Sequence, residues 1–416
     1  MSEITQAVPA AELFTPEFRL DPYPTYARLR ENSPVCRVQT PRFETWLVTR
    51  YADARAVLSD PRLSKDIDRA GDLYLQVFGE KSVALNRNML NADPPEHTRL
   101  RRLVSQAFTP RRIEALAPRV QQIVDQLLDT IVPAGRAELI SEFALPLPMN
   151  VICELLGVPA EDREQFFSGT QVIRTQGTAG RSNEEDRAAI QEAQQNLYNY
   201  LTKLVGNKRD QPSDDLISAL IAARDDGGKL SEEELVSTAF LLLFAGHQTT
   251  ADFIGNAVTA LLTNPDQLDL ITKNPELLPG AIEELLRFNG SVPVASFRLA
   301  TEDVEYSGVR IPKGSIVTVV LNAANHDPRH FPDPDSLKVD RTENPHMAFG
   351  YGVHYCLGVS LARMEARTAI GTLLRRLPNL TLEVAPEELR WLPAASSFRG
   401  LLELPVRFEP SGRPQR

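Results

Sequence analysis

One cysteine near the end of the chain lies in a glycine-rich run that can make it a metal ligand. Cys356 follows the run Phe-Gly-Tyr-Gly-Val-His-Tyr at 349–355 and precedes Leu-Gly. Glycines let a backbone turn tightly and approach a flat group closely. The residues after Cys356 have apolar positions at helical spacing, so the sulfur should lie at a helix N-terminus, where free N–H groups and the dipole favour a thiolate. A cysteine thiolate is an axial haem ligand that favours cleavage of the O–O bond.

The run resembles the haem-binding loop of the cytochrome P450 superfamily, Phe-Gly-x-Gly-x-His-x-Cys-x-Gly, at all six fixed positions. A buried structural cysteine in a glycine-rich loop is the alternative. Further motifs, spaced as in the family, favour the haem ligand. The resemblance covers nearly the whole chain and implies haem b, with Cys356 on the iron and Gly350 in the loop that cradles it. Phe349 should pack beside the sulfur and limit its solvation.

Two charged residues three apart form a second motif. Glu284 and Arg287 share one face of a predicted helix, within reach of a salt bridge. An isolated pair of this kind is common on protein surfaces and contributes little to stability. The family resemblance implies instead that this pair and Arg341 form a structural triad that supports the loop of Cys356, with no catalytic role.

A haem carries two propionates, which are anions that need donors. The resemblance implies four propionate-binding residues, namely His97, Arg101, Arg298 and His354. His97 and Arg101 are four residues apart on a predicted helix and therefore share a face. Each of the four alone could be a solvated charge or a core histidine, but together with the cysteine loop they predict a propionate site.

The longest predicted helix carries Ala-Gly-His-Gln-Thr-Thr at 245–250, which resembles the family's oxygen-binding segment. Ala245 and Gly246 should face the haem, and the glycine leaves room for a diatomic ligand. Thr249 is four residues after Ala245, so its hydroxyl can bond that carbonyl and open the helix locally. The resemblance implies that Thr249 handles protons. His247 occupies the variable position of the segment, which favours packing over iron ligation.

Gln248 departs from the family pattern, which has Asp or Glu at this catalytic position. Glutamine keeps both hydrogen-bonding functions but cannot release a proton. Three accounts remain open. Protons run through Thr249 and water while Gln248 holds the network, or the enzyme is slow and loses peroxide, or the chain is an altered form of one with Glu.

The substrate pocket is predicted by analogy with the family. It should draw on residues at 82–92, on the long helix, on the segment after the Glu284 helix, and on a C-terminal turn. The predicted contacts are Leu90, Leu243, Phe244, Val292, Val294, Ser397 and Phe398, with Leu242 also near the distal side. The polar stretch 168–195 is expected to be a mobile lid.

Composition restricts the class of protein. The chain has 416 residues, of which 42% are hydrophobic and 24% charged, as in ordinary globular proteins. The net charge of −10 argues against nucleic acid as a partner. No signal peptide pattern or long apolar segment is evident, so no membrane anchor is expected. The three cysteines are odd in number and far apart, which favours the reducing cytoplasm over a disulfide framework.

These motifs must be positioned by a mainly helical fold with small β-sheets. The residues at 93–288 are predicted to be mostly helical, and Ser231 opens a long helix through a capping box. Asp93 and Thr109 are predicted helix caps followed by prolines. The cytochrome P450 fold, a triangular helical prism around a buried haem, fits this pattern. We expect one domain over 1–416, with 1–20 as a weakly ordered lead-in.

The predicted function is a haem-thiolate monooxygenase that inserts one oxygen atom into a C–H or C=C bond of a bulky hydrophobic small molecule of secondary metabolism. The alternative is a haem enzyme that couples, dehydrogenates or rearranges its substrate without oxygenating it. A second alternative is a haem-binding sensor or carrier, but a sensor would need an output domain, for which we expect no residues to remain. Ferredoxin and ferredoxin reductase are the expected electron donors. The predicted basic docking patch draws on Arg99, Arg101, Arg102, Arg111, Arg112, Arg363 and Arg367, although these could be scattered over a solvated surface.

Overall fold

The computed structural model of the chain describes residues 12–13, 15–40, 43–71, 83–163, 170, 184–225, 230–393 and 396–410. Helices dominate, and three small sheets lie beside them. The first helices are α1 (Pro16–Leu20), α2 (Tyr23–Asn32), α3 (Tyr51–Ser59), α4 (Val83–Asn86), α5 (Glu96–Ala107), α6 (Pro110–Ala115), α7 (Ala117–Ile131) and α8 (Pro146–Leu156). The later helices are α9 (Glu184–Asp210), α10 (Leu216–Asp225), α11 (Glu232–Leu262), α12 (Pro265–Lys273), α13 (Leu278–Asn289), α14 (Leu321–Ala324) and α15 (Val359–Arg376).

The strands are short and form three sheets. They are β1 (Val35–Gln39), β2 (Glu44–Val48), β3 (Leu63–Ser64), β4 (Arg136–Glu138), β5 (Arg298–Ala300), β6 (Val304–Tyr306), β7 (Val309–Ile311), β8 (Ile316–Val319), β9 (Thr381–Leu382) and β10 (Pro405–Arg407). The largest sheet has the order β1-β2-β8-β5-β3, in which β2 and β8 are parallel. Strand β5 pairs with β8, and this pairing holds Arg298 opposite Val317 at the edge of the helical body.

Helix α11 is the central element, because it packs against α8, α9, α13 and α15. Its 31 residues span roughly 46 Å at 1.5 Å per residue. The predicted capping box is confirmed: the Ser231 side chain accepts from the Glu234 N–H, and the Glu234 carboxylate accepts from the Ser231 N–H. The predicted cap at Thr109 is also confirmed, since its hydroxyl accepts from the Arg112 N–H.

One local prediction, the cap at Asp93, is wrong. Asp93 does not cap α5, because its carboxylate instead accepts from the Lys65 N–H and the Ser64 hydroxyl across the fold. Residues 16–20 of the predicted lead-in form α1, which Thr15 caps at 3.0 Å from the Phe18 N–H. Strands β6 and β7 form a hairpin whose turn residues, Ser307 and Gly308, have positive φ.

The predicted lid at 168–195 lies largely outside the described residues, and its last part, from Glu184, belongs to α9. Among the residues that the structure describes, no helix is long and apolar enough to cross a membrane.

Candidate active site

The loop of Cys356 turns twice at glycines before α15 begins. The Cys356 N–H donates to the Phe349 carbonyl at 3.0 Å, which closes the loop. Gly350 and Gly352 have φ of 74° and 76°, a region that side chains rarely adopt. A Cβ on Gly352 would lie 2.6 Å from the Leu58 carbonyl oxygen, so glycine is also required for the close approach of α3. The loop therefore holds the cysteine in one position through backbone geometry.

The sulfur of Cys356 lies just before α15, whose N-cap is Gly358. Burial raises the pKa of the Cys356 thiol, while the Gly358 N–H and the charge of Arg101 act in the opposite direction. The helix N-terminus therefore favours the thiolate, as expected, but burial has the larger effect on the thiol pKa. The charge of a coordinated metal deprotonates a thiol outright, which removes this cost when iron is bound.

Glu284, Arg287 and Arg341 form a buried charged cluster below the loop. Glu284 and Arg287 have 0% exposed side chains and share two hydrogen bonds of 2.7 and 2.8 Å. Arg341 Nε donates to the same carboxylate at 2.9 Å. Glu284 also accepts from the Lys338 N–H and the Asn344 amide. The pair is therefore not a surface ion pair, and the cluster ties α13 to the segment that leads into the loop.

A second network on the same side surrounds Phe349. The guanidinium of Arg363 lies 5.2 Å from the Phe349 ring centroid and donates to Glu283. His346 Nε2 lies 3.1 Å from the Glu283 carboxylate. Burial alone would raise the pKa of Glu283, but the hydrogen bonds from His346 and Arg363 outweigh it and lower the pKa to about 2. Phe349 is therefore held between the loop and α15.

A cavity of about 300 Å³ lies between α11 and the loop of Cys356. Its wall includes the Cys356 sulfur region on one side and Ala245, Gly246 and Thr249 of α11 on the other. All four predicted propionate-binding residues, His97, Arg101, Arg298 and His354, also line it. The structure thus brings the sequence-predicted iron ligand, oxygen segment and propionate set to one cavity.

The cationic edge of this cavity contains a residue that the sequence analysis missed. Lys65 follows β3, and its ammonium group donates to Ser296, which lines the cavity. Burial, and next the charge of Arg298, lowers the pKa of Lys65 well below its usual value. No motif surrounds this lysine in the sequence, and only the pairing of β3 with β5 brings it beside Arg298.

The polar groups at this edge fit the two carboxylates of a haem. Both ring nitrogens of His97 are buried with no partner among the described residues, and its ring lies 4.3 Å from that of His354. Burial, followed by the charge of Lys65, lowers the pKa of His354 to about 2. Burial also lowers the pKa of Arg298 to about 10, and the nearby charge of Asp93 acts in the opposite direction. A site with buried cations and unpaired donors requires anions, which propionates supply.

On the opposite wall, α11 is continuous through the oxygen segment. Thr249 Oγ1 donates to the Ala245 carbonyl at 2.9 Å, as the spacing predicts. The Thr249 carbonyl accepts from the Ser291 hydroxyl at 2.7 Å. A Cβ on Gly246 would lie 3.0 Å from Ile152 Cδ1, so this glycine also allows α8 to pack closely against α11.

Gln248 and His247 point away from the cavity wall. Gln248 is 1% exposed, and its Nε2 donates to Asp252 Oδ2 at 2.7 Å. His247 is buried and its Nδ1 lies 2.8 Å from the Leu243 carbonyl oxygen, which agrees with a packing position. Sequence analysis missed Asp252, although its spacing of four from Gln248 was a readable signal.

Two of the predicted substrate contacts, Leu90 and Val292, line the cavity, as does Leu242. The structure places the others elsewhere. Leu243 is buried in the main core because it faces away from the stripe 242, 245, 246 and 249. The remaining residues have other surroundings: Phe244 packs against Phe398, Val294 packs against a cluster that includes Tyr26, and Ser397 lies in an exposed bend.

Comparisons with known proteins agree with this geometry. The family model described as Cytochrome P450 matches residues 20–168 and 178–391. Cytochrome P450 monooxygenase PikC of Streptomyces venezuelae is 47% identical over 396 residues, or 94% of this chain and 92% of that protein. Vitamin D(3) 25-hydroxylase of Pseudonocardia autotrophica is 43% identical over 411 residues, or 99% of each chain. The solved structure of the Bacillus subtilis 168 bacillaene polyketide synthase cytochrome P450 PksS has a TM-score of 0.86 and 38% identity, and the match covers 95% of this chain and 98% of that one.

The chain belongs to the cytochrome P450 family. It has the cytochrome P450 fold, and it is a monooxygenase that uses haem b as its cofactor. The prediction of a haem-thiolate monooxygenase from the motifs is confirmed at this level.

Proposed function

We propose that this enzyme oxygenates a C–H or C=C bond of a bulky hydrophobic small molecule of secondary metabolism. The observation that carries the proposal is the cavity between Cys356 and α11, which has one cationic edge and an otherwise largely apolar wall. Leu90, Leu242 and Val292 supply apolar surface on that wall, which suits burial of a hydrophobic substrate. The relatives named for vitamin D(3) and for polyketide synthesis support a large substrate with little charge.

Different residues of the cavity are proposed to bind the iron, hold the propionates and transfer protons. When bound, the haem with its thiolate supplies activation of dioxygen and cleavage of the O–O bond. Cys356 is the proposed iron ligand, and Phe349 limits access of water to its sulfur. His97 and Arg298, with the other cationic residues at this edge, would hold the propionates. Thr249 Oγ1, which donates to the helix backbone, can also accept a hydrogen bond and pass a proton to the distal face of the cavity.

The test is a panel of compounds that differ in size and polarity, added to the purified holoenzyme. Bulky hydrophobic compounds should shift the haem absorption spectrum at low concentration, whereas small polar compounds should not. Turnover of a compound that binds should give a product heavier by one oxygen atom. A product with no added oxygen from every bound compound would favour the non-oxygenating alternative.

Members of the family take electrons from redox partners. We propose an acidic ferredoxin, supplied by its reductase, docking on the Cys356 side. Arg102, Arg111 and Arg367 are exposed and appear in no ion pair among the described residues, and α6 packs against α15. Val353, which is 54% exposed in the loop itself, adds an apolar contact. The predicted patch is smaller than expected, because Arg99, Arg112 and Arg363 pair with carboxylates of this chain.

Electron transfer from a ferredoxin should weaken steeply as ionic strength rises, because exposed charges are screened over about 8–10 Å. Arg111→Glu should weaken transfer about tenfold at low salt and little at high salt. Arg390→Glu, the same charge change at an exposed residue between β9 and β10, is the control and should leave the rate unchanged. A rate that does not depend on salt would contradict this partner.

The three cysteines are unpaired, which supports a reducing cytoplasmic location.

A further inference from the structure

A buried carboxylate lies one helical turn beyond Gln248. Asp252 is 2% exposed on α11, and its Oδ2 accepts from Gln248 Nε2 at 2.7 Å. Neither side chain lines the cavity, but Thr249, between them in sequence, does. A buried carboxylate destabilises the fold unless it is hydrogen-bonded, so the contact with Gln248 offsets part of the cost of burying Asp252.

A buried arginine and a backbone segment surround Asp252. Arg19 of α1 and Arg399 of the C-terminal segment are both buried. Burial, and next the charge of Arg399, lowers the pKa of Arg19 to about 10, while the negative charge of Asp252 acts in the opposite direction. A Cβ on Gly400 would lie 2.2 Å from Asp252 Oδ1, so the C-terminal segment closes over this oxygen. Asp252 is therefore enclosed by the C-terminal segment and lies within reach of the Arg19 charge.

The hydrogen bond to Asp252 determines the orientation of the Gln248 amide. A carboxylate only accepts hydrogen bonds, so the NH2 group of Gln248 must face Asp252. The other end of the amide, Oε1, is then an acceptor, and it is buried with no partner among the described residues. A buried acceptor of this kind is satisfied by an ordered water.

We propose that Asp252 is a positioning residue of the distal proton network, which acts by holding Gln248 Oε1 as an acceptor for a water shared with Thr249. The family pattern has an acid at position 248. In this chain the amide stands at 248 and the carboxylate stands one helical turn later, at 252. Neither Gln248 nor the Asp252 carboxylate gains or loses a proton, and the net transfer is one solvent proton through water and Thr249 Oγ1 to the distal face of the cavity. This inference rests on the proposed monooxygenase function.

The competing explanation is that Asp252 only balances the buried charge of Arg19. The two explanations differ in what the exchange of the two side chains should do. A purely structural carboxylate would be needed at 252 whatever stands at 248. A carboxylate that acts through its amide partner can stand at either position, provided that one acid and one amide remain.

The experiment compares the holoenzyme with Asp252→Asn, Gln248→Glu and the exchange variant Gln248→Glu/Asp252→Asn. Asp252→Asn should lower product formed per electron consumed about tenfold and raise the solvent deuterium isotope effect. Direct acid–base assistance is typically worth about 100-fold or more, and a residue that acts only through its partner should account for part of that. Its substrate dissociation constant should stay within about twofold, because the residue does not line the cavity. The exchange variant should recover coupling to within about threefold of the native enzyme.

Infrared spectroscopy gives a readout that does not depend on turnover. Gln248→Glu alone places two carboxyl groups at hydrogen-bonding distance, so one should stay protonated at neutral pH and add a carboxylic acid band relative to the native protein. That band should be absent from the exchange variant.

Asp215→Asn is the matched control, since Asp215 is a buried aspartate paired with Lys208 at 2.6 Å. It should lower stability without changing coupling. The inference is overturned if Asp252→Asn keeps native coupling, or if the exchange variant is as uncoupled as Asp252→Asn. If the native enzyme forms no oxygenated product from any bound compound, the proposed function fails instead, and the infrared comparison still reports whether the two side chains interact.

Discussion

The two sides of the cavity are built differently. On the Cys356 side, Glu284 accepts five hydrogen bonds from Arg287, Arg341, Asn344 and the Lys338 backbone, and all of these groups belong to the protein. On the α11 side, Gln248 has one protein partner and a buried acceptor with none among the described residues. The first side fixes a ligand in place, whereas the second leaves polar groups available to water.

This difference predicts different consequences for substitutions. Changes on the Cys356 side should remove the cofactor or the fold, because every partner left behind is buried and unsatisfied. Changes on the α11 side should leave the fold and the haem content intact and alter only the amount of product formed per electron consumed.

The largest effect is expected from Cys356→Ser. The variant should lose the absorption band that a thiolate ligand gives to the reduced carbon monoxide complex, because serine supplies no sulfur. Cys153→Ala, which removes a buried thiol that lies near Met149, should keep the band. If Cys356→Ser keeps the band, another residue ligates the iron and the proximal assignment is wrong.

The next effect is expected from Arg287→Ala. It leaves the fully buried Glu284 short of its main partner, which should cost about 3–5 kcal/mol of unfolding free energy. Urea unfolding of the haem-loaded protein measures this loss. Arg390→Ala breaks an exposed ion pair with Glu403 and should cost less than about 1 kcal/mol. Equal losses in the two variants would mean that the cluster is no more important than a surface pair.

The sequence predicted the parts of this molecule whose signals are local. The loop of Cys356, the Ser231 capping box and the spacing of Glu284 and Arg287 are short motifs with a direct physical reading. The third member of that cluster, Arg341, came only from the family pattern. Whether each of these residues has its predicted role stays a prediction that the variants test.

Other features depend on contacts between distant segments. Lys65 reaches the cavity only because β3 pairs with β5, and Asp93 bonds Lys65 and Ser64 rather than capping its own helix. Leu243 was predicted as a pocket residue, but the helical phase of α11 points it into the core. Neither composition nor a short motif encodes such pairings, so single-sequence reasoning could not supply them.

The smallest effect, and the most specific, is expected from Thr249→Val. Valine keeps the shape of threonine but removes the hydroxyl that donates to the Ala245 carbonyl at 2.9 Å. Because Thr249 lines the cavity, its loss should lower product formed per electron about tenfold, while haem content and unfolding free energy change little. Thr249→Ser retains the hydroxyl and should recover most of the coupling. Unchanged coupling in Thr249→Val would remove the hydroxyl from the proton path, whereas a large loss of stability would show that α11 is as rigidly built as the Cys356 side.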